Sequence, residues 1–212
     1  MKVRLVSYSK SDEHADLTAL VSFCARVSNP SNQTNTQTND KLIKYLIANS
    51  HWSPFEMCSI CLEIDTTRDI ARQILRHRSF SFQEFSQRYA VADLGYELKE
   101  ARLQDTKNRQ NSVATDDEVL AAEWAKRQEQ IASATSDAYK WALDNGIAKE
   151  QARAVLPEGM TTTRMYMNGT LRSWIHYIQL RSANGTQKEH RDVAMECANV
   201  ISTIFPMIHQ LK

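Results

Sequence analysis

Apolar residues recur along this chain with two periods, and the switches between them mark its elements. Residues 2–8 predict a short opening strand. Leu17, Leu20, Val21 and Cys24 fall at helical spacing and predict a helix over 17–26. Residues 29–39, rich in Asn, Ser and Thr, predict a polar loop, after which Asp40 can cap a helix through Leu42, Ile43, Leu46 and Ile47. His51-Trp52-Ser53-Pro54-Phe55-Glu56 predicts a turn. Cys58, Ile60, Leu62 and Ile64 then alternate with Met57, Ser59, Cys61 and Glu63, the pattern of a half-buried strand. Asp65-Thr66-Thr67 can cap a helix over 68–76. Residues 89–97 predict extended chain, and the polar stretch 99–114 predicts a mobile surface loop. Thr115 and Glu118 have capping-box spacing and open a long helix that ends at Asn145-Gly146. Beyond it the pattern predicts a short helix over 147–156 stopped by Pro157, a strand over 160–167, a helix over 170–183 ending at Asn184-Gly185, and a last helix from 186 towards Pro206.

These elements describe an α+β fold: a small, mostly antiparallel sheet with long helices, in one domain spanning residues 1–212. Apolar residues make up 42% and charged residues 24% of the chain, the balance of a globule with a real core. No apolar run exceeds four residues, so a membrane span is excluded. Nor does the amino terminus carry an apolar stretch of signal-peptide length, so the expected address is the cytoplasm.

Only five glycines occur, at 95, 146, 159, 169 and 185, too far apart for a P-loop or a G-x-G-x-x-G dinucleotide fingerprint. Any nucleotide must bind by another route. The net charge of +1 argues against a nucleic-acid binder, but the charges are not evenly spread. Residues 68–88 hold five arginines and one histidine against two acids, and 153–191 hold five arginines and one lysine against two. Such clusters are either solvated helix faces or a confined anion site. Arg68, Arg72 and Arg76, at i, i+4 and i+8, favour an anion or acidic partner, because stacked like charges repel. Arg68 and Arg72 are set aside as candidates for ion pairs across a subunit interface. Cys58 and Cys61 form a lone C-x-x-C within the predicted strand, where residues three apart face opposite ways, so buried thiols are expected and no metal site. Trp124 and Trp141 are expected in the core or at a subunit interface.

Arg76-His77-Arg78 leads into Ser81, Glu84, Ser86, Arg88 and Tyr89, a dense set of guanidinium, hydroxyl and carboxylate groups suited to phosphate and ribose. These residues match the signature R-H-R-x-x-S-x-x-E-x-S-x-R-Y, eight fixed positions in fourteen, and the chain thereby resembles the flavin-dependent thymidylate synthases. His51-x-Ser53-Pro54-Phe55-Glu56 resembles the family's segment just upstream. The segments 152–157 and 171–181 resemble its downstream ones.

The resemblance implies the reductive methylation of dUMP to dTMP, with 5,10-methylenetetrahydrofolate as carbon donor, FAD as hydride carrier and NADPH as reductant. It also implies a homotetramer of α/β subunits with active sites at subunit interfaces and no Rossmann fold, in keeping with the absent glycine motif. By position, Gln73, Arg76, Glu84, Ser86, Arg88, Arg153 and Arg181 match dUMP contacts, with Ser86, Arg88 and Arg153 suited to the phosphate. Ser53, Arg76, His77, Arg78, Ser79, Glu84, Arg172 and His176 fall at or beside flavin contacts. Arg181 and His51 are the catalytic candidates, Arg181 for charge developing on the uracil and His51 on the folate side of the flavin. No cysteine lies in the signature, so no enzyme thiolate is implied. Gln83, Met57 and Thr170 depart from residues common in the family and bear on flavin affinity. Two other readings are a diverged nucleotide-binding module without flavin chemistry, and a nucleic-acid binder, which the near-neutral charge disfavours. His14, His190 and His209 show no partner pattern.

Overall fold

Strand β2 (Ser59–Thr67) carries Ile60, Leu62 and Ile64 fully buried on one face, and this row organises the molecule. In the computed structural model, which describes residues 1–93 and 95–211, β2 pairs antiparallel with β1 (Lys2–Tyr8) on one side. On its other side lies β6 (Thr162–Thr170), and β3 (Ser81–Glu84) completes the order β1-β2-β6-β3. Register sets Ile64 against Met165, Leu62 against Met167 and Ile60 against Gly169, so one face of the sheet is continuously apolar. Helices α1 (Leu17–Ala25), α3 (Arg68–Ile74), α6 (Leu171–Ser182) and α7 (Lys188–Ser202) supply the other half of that core, with Trp174, Tyr177, Phe55 and Phe205 its largest fully buried side chains. Trp174 satisfies its indole N–H on the Ile60 carbonyl at 3.0 Å.

The opposite face is an ionic ladder. Glu63 accepts from Arg4 at 2.8 Å and from the Tyr166 hydroxyl at 2.9 Å, and Arg164 grips Asp65 through two bonds of 2.7 and 2.8 Å. The cross-strand neighbours explain how the carboxylate of Glu63 stays charged though 6% exposed. Its hydrogen bonds from Arg4 hold it below the usual carboxylate range.

Helix α2 (Asn39–Ala48) packs on α1. The long α4 (Glu118–Asp144) and the short α5 (Lys149–Ala152) share a small satellite core of Tyr139, Ala142 and Ala152. Gln128 of α4 clamps the backbone of Lys99 through both its amide atoms, at 2.8 and 2.9 Å. Among the described residues no helix is long and apolar enough to cross a membrane, and no cluster of three His, Cys, Asp or Glu could hold a metal.

The α+β class with a small antiparallel sheet agrees with the sequence reading, and several local expectations change. The 99–114 stretch holds a hairpin, β4 (Arg102–Gln104) with β5 (Ser112–Ala114), tied by Arg102 to the Ser112 hydroxyl and carbonyl at 2.8 and 2.7 Å. The capping box at Thr115 does not form: Asp117 caps α4 by accepting from the Leu120 N–H at 2.9 Å. Asp40 lies in the first turn of α2, behind the cap position Thr38. Residues 65–67 end β2, with Thr67 at the N-cap position of α3 but making no side-chain cap bond, and the predicted helix over 147–156 shrinks to α5 and one 3-10 turn. Trp124 and Trp141 are 43% and 63% exposed on this chain, which removes them from its core. Cys58 is buried and Cys61 partly so, both as free thiols, and burial pushes Cys58 up to about 12.

Candidate active site

The signature segment begins where α3 ends. Leu75 closes that helix, and residues 76–80 turn back along α6. The Ser79 carbonyl accepts the Ser173 hydroxyl at 3.2 Å, and His77 meets Arg181 near the far end of α6. Phe80 fixes the path by packing edge-on against Trp174 and Tyr177. The chain then enters β3, where Ser81 to Glu84 pair with Asn168 to Met165 of β6. A turn closed by the Tyr89 and Ala90 N–H groups on the Ser86 carbonyl ends the segment.

Three polar groupings result. In the first, Arg181 donates Nε–H to Nε2 of His77 at 2.9 Å. Burial, with Arg181 and Arg76 beside it, pushes His77 down to about 4, so the ring is a neutral acceptor at neutral pH. Close by, fully buried His190 of α7 bonds Gln73 through Nδ1 and the Tyr177 hydroxyl through Nε2, each at 3.2 Å. The second grouping surrounds the start of α6. Thr170 caps that helix on the Ser173 N–H at 3.3 Å, Arg172 pairs with Glu56, and His176 stands edge-on to Trp52 with centroids 4.4 Å apart. Burial and Arg172 lower His176. His51 and Ser53 are exposed in the adjoining segment, His51 edge-on to Tyr45. In the third grouping, Arg88 pairs with the Glu150 carboxylate at 3.4 Å and Arg153 donates to the Glu150 carbonyl at 3.3 Å. Two of the expected phosphate ligands thus stand at one residue.

Ser86, Arg76 and Arg78 are exposed. Glu84 is turned inward: its Oε1 accepts from buried Arg68 at 3.2 Å and from the Thr163 hydroxyl at 3.0 Å. This corrects the arginine stack. Arg68 and Arg72 both reach Glu158 within the chain at 3.4 Å, and Arg76 lies beyond the end of α3. Of the departures, Thr170 is a helix cap, Gln83 lies opposite Tyr166 in β3 and Met57 is exposed.

The sequence reading missed His190, Tyr177, Gln187 and Glu150. A signal for His190 existed. It continues the buried stripe Val193, Ala194, Cys197 and Ile201 of α7, and a histidine there needs partners.

Residues 4–207 match the family model described as thymidylate synthase complementing protein. The chain is 49% identical over 210 residues to the "Probable flavin-dependent thymidylate synthase" of Paramecium bursaria Chlorella virus 1, covering 98% of this chain and 97% of that protein. It is 46% identical over 213 residues to the flavin-dependent thymidylate synthase of Synechocystis sp., again covering 98% and 97%. Among solved structures, a UMP/dUMP methylase, PolB from Streptomyces cacaoi with bound 5-Br dUMP, superposes with a TM-score of 0.82 at 28% identity, covering 99% of this chain and 93% of that one.

Proposed function

The chain belongs to the flavin-dependent thymidylate synthase family, and from that premise we propose how its residues divide the conversion of dUMP to dTMP. The observation that carries the reading is the Arg181–His77 pair, two matched positions 104 residues apart in sequence joined by one hydrogen bond. Pyrimidine C5 becomes nucleophilic only as negative charge builds on the ring, and a cation fixed at the N3/O4 edge stabilises that charge. Neutral His77 holds Arg181 by its Nε–H, which leaves the terminal guanidinium nitrogens for the uracil. Arg88, Arg153 and Ser86 bind the phosphate, Arg88 leaving Glu150 to do so. Gln73 adds a carboxamide contact, and His51 lies on the folate side.

The donor set also suits a flavin dinucleotide. Arg76, Arg78 and Arg172 supply cations for a diphosphate, Ser53 and Ser79 supply polar contacts, and His77 and His176 supply neutral rings. When bound, FAD supplies the hydride that completes the methyl group, with NADPH as reductant and 5,10-methylenetetrahydrofolate as carbon donor. Glu84 acts here by holding Arg68 and so the start of α3. Exposed Val119, Trp124, Ile131 and Trp141 along α4, with Tyr89 at 86% exposure in the signature, support a homotetramer whose subunits complete one another's sites. The cytoplasm is its proposed location.

The test is the visible spectrum of protein incubated with FAD and then desalted. Retained flavin absorbance that shifts on adding dUMP is expected, followed by dUMP-dependent release of the C5 hydrogen that Arg181→Ala nearly abolishes. A protein that stays colourless with dUMP present favours a nucleotide-binding module without flavin chemistry.

A further inference from the structure

Gln73 and His190 lie 117 residues apart in sequence and meet at 3.2 Å. Their hydrogen bonds fix one another. Gln73 spends one Nε2–H on Oε1 of Gln187 at 2.7 Å, and Gln187 in turn donates to Glu189 at 2.9 Å. The amide of Gln73 therefore faces Gln187, and its Oε1 must be the acceptor towards His190. The proton of the imidazole then sits on Nδ1. Nε2 is left as an acceptor, and the Tyr177 hydroxyl at 3.2 Å donates to it. The relay runs Tyr177, His190, Gln73, Gln187, Glu189, each member with a defined role. Its inner half is rigid: Tyr177 and His190 are 1% and 0% exposed, and Tyr177 is wedged among Phe80, Trp174 and His77. Burial beside Arg181 and His77 pushes His190 down to about 3, which keeps the ring neutral and the donor and acceptor roles unmixed.

We propose that His190 is a positioning residue for nucleotide binding. Its Nδ1–H locks the Gln73 carboxamide in the one orientation that leaves the second Nε2–H for an oxygen acceptor of dUMP. The inference rests on the reading that Gln73 contacts dUMP. A flipped carboxamide would set Nε2–H against Nδ1–H, and would offer the nucleotide an oxygen where it needs a donor. Preorganising the amide spares the substrate that ordering on binding.

The test uses the flavin-loaded protein, with dUMP affinity by calorimetry and KM and kcat measured separately. Gln73→Ala comes first. Unchanged dUMP affinity in that variant overturns the reading that Gln73 contacts dUMP, and the inference falls with it. If Gln73→Ala binds weakly, the histidine variants decide. His190→Asn places an amide N–H where Nδ1–H stands and is expected to bind dUMP within about twofold of the parent. His190→Gln places its amide at the Nε2 end, loses the donor to Gln73, and is expected to raise Kd and KM for dUMP roughly tenfold with kcat little changed. A merely structural role would lower thermal stability and the active fraction of both variants alike and leave KM where it was. That result, or parental affinity in a folded His190→Gln, overturns the proposal. Should His190→Gln fail to fold, His190→Leu decides, since it fills the buried site with an apolar side chain and removes the Nδ1–H donor to Gln73. A several-fold loss of dUMP affinity is expected there, and none refutes the relay.

Discussion

Arg181 and His77 share a single N–H: the guanidinium Nε donates it at 2.9 Å and the imidazole Nε2 receives it. A protonated His77 could not accept that bond, and the folded state therefore resists its protonation. The same holds for His190, which accepts from Tyr177. The two rings are pushed down to about 4 and about 3, below the ordinary histidine value.

The consequence for stability has a definite sign. Between about pH 6.5 and pH 4 the unfolded chain takes up protons on these rings and the native chain does not, so stability rises with pH through that window. It is fully present above about pH 6.5 and is lost as the pH falls. His190 alone contributes a slope approaching about 1.4 kcal/mol per pH unit. Denaturant midpoints at fixed protein concentration should fall steadily from about pH 7 to about pH 5, and His77→Gln should flatten part of the fall. A midpoint that does not move over that range contradicts the neutral assignment of both rings.

Arg68 and Arg72 look equivalent in sequence and differ in the fold. The Arg68 side chain is 8% exposed and bridges Glu84 and Glu158, whereas Arg72 and Glu158 are each 53% exposed. Removing Arg68 leaves the inward carboxylate of Glu84 without its cation, a loss of about 3–5 kcal/mol for a buried pair. Removing Arg72 breaks an exposed pair and should cost less than about 1 kcal/mol. Chemical denaturation of Arg68→Ala and Arg72→Ala measures the contrast; similar small losses would mean that Glu84 finds water on its own.

Much of this was legible in the sequence. Strand β2 announced itself by Ile60, Leu62 and Ile64, and α6 by Thr170 at its start and Asn184-Gly185 past its end. The signature named the loop between α3 and β3 before its path was known. What escaped was set by long-range pairing. Ser81 to Glu84 becomes a strand only because β6 lies beside it, and four residues carry too little periodicity to say so. The hairpin at Arg102 depends on a side chain reaching the partner strand, in a stretch too polar to reveal it. Thr115 and Asp117 are both good caps, and the chain used the second. The apolar stripe of α7 shows His190 as buried, but not what it bonds, because its partners, Gln73 and Tyr177, arrive from two other helices.

Gly169 of β6 stands under the ring of Phe80, and a β-carbon there would collide with Phe80 Cδ1. The ring cannot give way cheaply, since Trp174 holds it edge-on at 4.9 Å and Phe82 and Tyr177 flank it. Gly169→Ala therefore overpacks the sheet and shifts the segment that carries His77 and Ser79. A loss of about 1–3 kcal/mol is expected, together with weaker flavin retention after desalting. Phe80→Leu in the same background should recover part of the stability, and no recovery would place the strain elsewhere.

Glu150 sits between the two arginines that are proposed to hold the dUMP phosphate, and it competes with that phosphate. Its carboxylate pairs with Arg88 at 3.4 Å, while its backbone carbonyl takes Arg153 Nε–H at 3.3 Å. A bound phosphate must draw Arg88 away from the carboxylate but leaves the carbonyl contact of Arg153 undisturbed. Both Arg88 and Glu150 are well exposed, so the pair contributes at most about 1 kcal/mol and its removal can improve affinity by no more than about fivefold. Glu150→Gln should thus tighten dUMP binding a few-fold, most clearly at low salt, where a screened exposed pair is strongest. Arg88→Ala should weaken binding by tenfold or more, since the charge-assisted contact proposed for the phosphate is lost. Deoxyuridine, which has no phosphate, separates this account from a change in pocket shape. Its affinity should be the same in the parent, in Glu150→Gln and in Arg88→Ala. If Glu150→Gln alters deoxyuridine and dUMP binding equally, the carboxylate acts on the fold of the Arg153 turn and not on the phosphate.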